Sequence, residues 1–134
     1  MEVEHFPMAQ RFGLRVLVWS PLEGGWLTGK YRRDRGNPED SPRARSWVGD
    51  LANPKFRRRL QVVEELLPRI AASGLSPARF ATAWTLRHPA VTSAIIGPRT
   101  MEQLDDLLGA GDVAVDDETA AAIDELVPPG TTVL

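Results

Sequence analysis

The sequence predicts an α/β fold in which two short parallel strands are joined by a helical crossover. Three observations carry that reading. Residues 14–19, Leu-Arg-Val-Leu-Val-Trp, and residues 93–96 are short, apolar, β-rich runs. Between them lie two segments with helical spacing, each opened by a capping residue and a proline. Each strand is followed at its C-terminal end by a loop suited to anions, the place where α/β proteins bind ligands.

In chain order, residues 2–12 read as the tail of a helix stopped by Gly13. Residues 14–19 form the first strand, read as buried, and residues 20–52 a long loop with a helical turn near Leu27. Asn53 and Pro54 open a helix whose apolar positions Phe56, Leu60, Val63, Leu67 and Ile70 share one face. Pro68 should kink or divide it, and Gly74 ends it. Ser76 and Pro77 start the next helix, with Phe80, Ala83 and Trp84 as its stripe, ending at His88 before Pro89. After the second strand a helix runs from Thr100 to about Gly109. Asp116 caps a last one, which Pro128 and Pro129 end. Strand, helices and parallel strand imply a right-handed crossover, the repeating unit of a barrel.

Arg99 is the residue that asks for a ligand. Thr100 and Gln103 have the Thr-x-x-Gln spacing of a capping box, so a helix begins beside Arg99. A helix N-terminus is partly positive and repels a cation unless an anion lies between. A strand, the turn Gly97-Pro98, a capped helix start and an arginine together describe a phosphate site, although an exposed arginine could also tolerate its neighbours. The loop after the first strand holds Ser20, Pro21, Gly24, Gly25 and Gly29 and ends in Lys30. In (β/α)₈ barrels a phosphate site is frequently built from the loops after strands seven and eight.

Trp19-Ser20-Pro21-Leu22, Leu27-Thr28-Gly29-Lys30-Tyr31, Phe80-Ala81-Thr82-Ala83-Trp84-Thr85-Leu86 and Ile96-Gly97-Pro98-Arg99-Thr100-x-x-Gln103-Leu104 closely resemble the aldo-keto reductases. The resemblance covers nearly the whole chain. It implies the C-terminal portion of a (β/α)₈ TIM barrel, its last two strands and their NADP-binding loops, as one partial domain over residues 1–134. Residues 20–52 would then be a loop covering the cofactor.

The resemblance also implies roles. Trp19 would stack on the nicotinamide. Ser20 would offer a hydroxyl, and Leu22, Glu23 and Gly24 their backbone amides, to the pyrophosphate, with Pro21 in the same cofactor-binding turn, while Lys30 adds a point charge. Arg99, reached through Gly97 and Pro98, would grip the 2′-phosphate with its planar fork and select NADP over NAD. Gln103 and Asp106 lie on the same helical face as Arg99 and would meet adenine and ribose. Leu107 stands where the family often has asparagine. Arg43 resembles a family arginine that contacts phosphate, with Arg45 competing for the role.

The family transfers hydride from NADPH to a carbonyl with a tyrosine acid tuned by lysine, aspartate and histidine. Those residues belong to earlier strands. Tyr31 lies on the cofactor loop, and His5 and His88 match no catalytic position, so no residue here is assigned to catalysis and none to a metal. The parent reaction is therefore expected only of a complete barrel, with NADPH the partner of this portion. Two other classes compete. One is a non-catalytic NADP-binding or interaction module. The other is a degenerate P-loop, because Gly24-Gly25-Trp26-Leu27-Thr28-Gly29-Lys30 fits G-x-x-x-x-G-K. Against the P-loop, Tyr31 replaces the Mg²⁺-binding Ser or Thr, and Trp26 is bulky for a phosphate cradle.

Composition bounds the rest. At 134 residues the chain is short of the ~250 typical of a complete TIM barrel. Its 43% apolar content is that of a globular chain. It has no cysteine, so no disulfide can support a small core. The acidic start and lack of a long apolar run point to a cytoplasmic protein without membrane contact. All 16 bases lie at or before Arg99, where nine acids leave a formal +7. The basic stretch from Lys30 to Arg59 lacks regular spacing and is interrupted by acids, which argues against a nucleic-acid partner. Two parallel strands leave two open edges, so self-association is expected.

Overall fold

The computed structural model describes residues 1–34, 38 and 51–133. Among these the order is α1 (His5–Phe12), β1 (Val16–Trp19), α2 (Arg57–Ala72), α3 (Pro77–Arg87), β2 (Val91–Ile95), α4 (Met101–Leu108) and α5 (Asp117–Leu126). Short 3₁₀ segments follow β1 at Glu23–Thr28, precede α2 at Pro54–Phe56 and follow α4 at Gly109–Asp112. Part of the 20–52 loop, with Arg43 and Arg45, lies outside the described residues.

The helix starts follow local capping chemistry. Asn53, Ser76, Thr100 and Asp116 each accept a hydrogen bond from a backbone N–H two or three residues on, and prolines stand at the first turn after Asn53 and Ser76. Gly13 ends α1 in the left-handed conformation, at φ 63°. Two expectations need correction. Pro68 does not divide α2, which runs unbroken through it. Buried residues lie on both sides of it, Val62 and Val63 before and Ile70 after, so packing holds the helix through the proline. The second strand starts at Val91, not residue 93. Thr92 interrupts the pattern because it sits at an irregularity, where its Oγ1 takes the N–H of Val16 at 3.1 Å.

β1 and β2 pair in parallel, with Leu17 opposite Ser93, Val18 opposite Ala94 and Trp19 opposite Ile95. α3 packs against β2. Val16, Val18 and Ala94 are half-buried, but Leu17, Trp19 and Ile95 are exposed. β1 is thus not the fully buried strand its composition predicts. Parallel strands are covered on both faces only inside a larger sheet, and two strands cannot close one.

Apolar burial is concentrated beside the sheet. Trp26, Tyr31, Leu51, Phe56 and Leu60 form one core, in which the Trp26 ring lies 4.9 Å from Tyr31 and 5.2 Å from Phe56. Ile70, Phe80 and Ile123 form a second, joining α2, α3 and α5, with Leu66, Leu75, Trp84 and Val115 against it. The first core anchors the loop that follows β1. The second holds the crossover helices to the last helix. Among the described residues no helix is long and apolar enough to cross a membrane.

Candidate cofactor site

Parallel pairing puts the two anion-suited loops at one end of the sheet. Trp19 and Ile95 are the last paired rung, so Ser20 and Ile96 leave side by side. Trp19 is 79% exposed, with its ring at the strand end and no core around it. Ser20 and Glu23 are the two non-glycine residues at positive φ among those described, at 55° and 46°. Left-handed backbone costs an ordinary residue roughly 1–3 kcal/mol and persists only where its surroundings hold it. Here the Glu23 N–H closes on the Ser20 carbonyl at 2.9 Å, and the Gly25 N–H on that of Leu22 at 2.8 Å. Pro21, Leu22 and Gly24 are half-buried in this turn. Glu23 is exposed, its carboxylate 3.7 Å from the Arg59 guanidinium.

Gly25 adopts φ 99°, and a Cβ there would lie 2.7 Å from both Cε and Nζ of Lys30. Only glycine lets the lysine close over this backbone. The Lys30 ammonium also lies 4.9 Å from the Tyr31 ring centroid. The loop and Lys30 therefore form one packed unit, a turn with an ammonium folded back onto it. Trp26, inside the same G-x-x-x-x-G-K run, is buried in the core. A P-loop needs that stretch to wrap a phosphate with its backbone and lead into a helix. Here it is a 3₁₀ turn fastened by a large side chain.

On the second loop, Gly97 is open and exposed, Pro98 half-buried and Arg99 exposed. Thr100 Oγ1 accepts from the Gln103 N–H at 3.2 Å. Gln103 Oε1 returns to the N–H of Arg99 at 2.9 Å, one residue earlier than in an ordinary capping box. The reciprocal bond thus fixes the Arg99 backbone to the first turn of α4. Among the described residues no acid pairs with the Arg99 guanidinium.

Asp106 is placed differently from its neighbours on α4. One carboxylate oxygen takes a short hydrogen bond from the Ser76 hydroxyl. The other lies 3.2 Å from Arg79 Nε, which also donates to the Asp106 carbonyl at 2.7 Å. These contacts tie Asp106, which the sequence sets on one helical face with Arg99, to the start of α3. Arg79 escaped the sequence reading, though the signal was present. It follows the N-cap Ser76 by three residues, so it too is a cation at a helix N-terminus and needs an acid nearby.

Tyr31 is fully buried. The His88 ring packs on Phe6 at 4.4 Å, and its Nδ1 accepts from the Ala90 N–H at 3.1 Å. His5 is exposed on α1.

The aldo/keto reductase family model matches residues 2–128. An uncharacterized oxidoreductase, YrpG, of Bacillus subtilis is 37% identical over 130 residues, covering 96% of this chain and 37% of that protein. A putative voltage-gated potassium channel subunit beta of Schizosaccharomyces pombe is 35% identical over 106 residues, covering 77% of the chain and 30% of that protein. The structure of the glycerol dehydrogenase AKR11B4 from Gluconobacter oxydans superposes with a TM-score of 0.69 at 26% identity, over 98% of this chain and 40% of that one. The chain spans well under half the length of these relatives, and its two-stranded parallel unit is a partial α/β piece of a TIM barrel. With the strand-end loops, the capped α4 and the match across residues 2–128 all in agreement, the chain belongs to the aldo/keto reductase family.

Proposed function

We propose that this chain supplies the NADP(H)-binding part of an aldo/keto reductase whose complete barrel moves hydride between NADPH and a carbonyl. The observation that carries this is the Trp19–Ile95 rung, which sends the Ser20–Gly25 turn and the Gly97–Arg99 turn off the same sheet end. The donors present suit a dinucleotide. An exposed indole offers a face for nicotinamide, glycine-rich backbone and Lys30 suit pyrophosphate, and the exposed Arg99 suits a terminal phosphate. Gln103 orients Arg99 through its backbone. The bound nucleotide supplies hydride. This chain's residues hold and orient it, and the carbonyl and its proton donor belong to other strands of the barrel.

The test is titration of the chain with NADPH, NADH, and ATP with Mg²⁺. Tighter binding of NADPH than of either other nucleotide supports the reading. Preference for ATP with metal would return the P-loop. Aldehyde reduction by the chain, abolished by a substitution within it, would show that a proton donor had been overlooked. Relatives named as channel beta subunits favour a second reading, a cofactor-binding interaction module. It shares the NADPH site and parts from the first only at turnover by the complete barrel.

A further inference from the structure

Arg79 stands between two helix ends of opposite polarity. It lies in the first turn of α3, where the helix dipole repels it, and against the last turn of α4, where carbonyls attract it. The Asp106 carboxylate completes the arrangement, taking Ser76 on one oxygen and Arg79 on the other. Ser76 meanwhile accepts the N–H of Arg79 at 3.0 Å. The three residues form a ring across the α3–α4 junction, closed by the Arg79 backbone N–H. Gly109 makes room for it, because a Cβ there would lie 2.8 Å from both Cζ and Nη2 of Arg79.

α4 is only eight residues long, and its other end carries Arg99. Arg99 is bound to α4 by its own N–H through Gln103. A tilt of α4 therefore moves Arg99 with it. We infer that the Ser76–Arg79–Asp106 ring is a clasp that sets the direction of α4, and so the placement of the Arg99 guanidinium for a 2′-phosphate. Asp106 is then a positioning residue, with one carboxylate oxygen on Ser76 and the other on Arg79. This rests on the NADP reading above.

Gly109→Ala is the cleanest probe. Gly109 has φ −68°, which alanine adopts readily, so the added methyl displaces the Arg79 guanidinium without changing any charge. Asp106→Asn is the second probe, removing the ion pair at nearly constant size. Dissociation constants for NADPH and NADH are measured for the chain, for each variant, and for each variant combined with Arg99→Ala. The clasp predicts that each variant lowers the NADPH-over-NADH preference about tenfold, the order of coupling between residues of one polar network. It also predicts no further loss of preference once Arg99 is alanine. An intact preference in Gly109→Ala would overturn the clasp. So would equal losses for both cofactors, which a general structural role or direct contact of Asp106 with adenosine would produce. So would losses that add to that of Arg99→Ala. An unsubstituted chain with no preference for NADPH overturns the parent reading instead, and the clasp falls with it.

Discussion

Trp19 and Ile95 are partners on the last rung of the parallel pair, and both side chains are exposed, at 79% and 54%. The cofactor end of the sheet and its uncovered apolar face therefore meet at one point. Trp19→Ala should weaken NADPH and NADH alike, because a nicotinamide is common to both. Loss of an aromatic stack is worth roughly 1 kcal/mol, about fivefold in Kd. Calorimetric titration with both cofactors checks it, and a loss confined to NADPH would remove Trp19 from the nicotinamide.

Arg99→Ala should do the opposite and weaken NADPH alone. A charge-assisted contact to phosphate contributes roughly 1.5–3 kcal/mol. Arg99→Lys should recover only part of this, since an ammonium cannot form the planar fork. Equal losses for the two cofactors would show that Arg99 does not read the 2′-phosphate.

Gly25→Ala should cost more stability than Gly13→Ala. Both glycines are left-handed, at φ 99° and 63°, and a side chain pays about 1–2 kcal/mol there. A Cβ at Gly13 meets nothing within 4 Å, whereas at Gly25 it strikes Lys30. Urea unfolding of the two variants compares them. Equal shifts would mean that Lys30 leaves its position freely.

Local chemistry made much of this fold legible. The four caps at Asn53, Ser76, Thr100 and Asp116 were each marked by a short polar residue before an apolar periodicity, and each forms. What depends on partners distant in sequence was not legible. Thr92 reaches Val16 across 76 residues, and that bond decides where β2 starts. Asp106 shares a helical face with Arg99 in the sequence, and only the position of α3 shows that Ser76 and Arg79 bond to it. Pro68 leaves α2 undivided because packing at Val63 and Ile70, on either side of it, holds the helix, and that packing is set by other elements.

Acid should act on α5 through Asp116. Its carboxylate accepts from the Thr119 N–H at 2.7 Å and from the Thr119 hydroxyl at 2.8 Å, which holds its pKa below the ordinary 3.8. The ionised form is favoured in the folded chain. Its contribution is therefore complete above pH 3.8 and is lost as pH falls below it through the depressed folded value. Asp116→Asn keeps a capping oxygen but cannot titrate. Stability measured by urea unfolding at stepped pH should fall less steeply for this variant below pH 4 than for the unsubstituted chain. Identical acid limbs would show that the cap is not coupled to protonation.

Self-association follows from the same sheet. Leu17, Trp19 and Ile95 present one apolar face to water, and Leu14 and Phe12 extend exposed apolar surface along the chain before β1. Each strand pairs on one side only, since the described sheet contains two. Unpaired parallel edges and contiguous apolar surface both invite other chains. The two cores are small, and small cores are commonly supported by staples such as disulfides. The absence of cysteine removes the commonest staple. Size-exclusion chromatography over a concentration series, joined to thermal unfolding, should show concentration-dependent association and a broad transition. Leu17→Lys places a charge at the centre of the exposed face, where it stays hydrated in a monomer and is desolvated in an aggregate. It should shift the chain toward monomer without lowering its stability. A monodisperse monomer with a sharp cooperative transition, unchanged by Leu17→Lys, would show that the exposed face needs no cover.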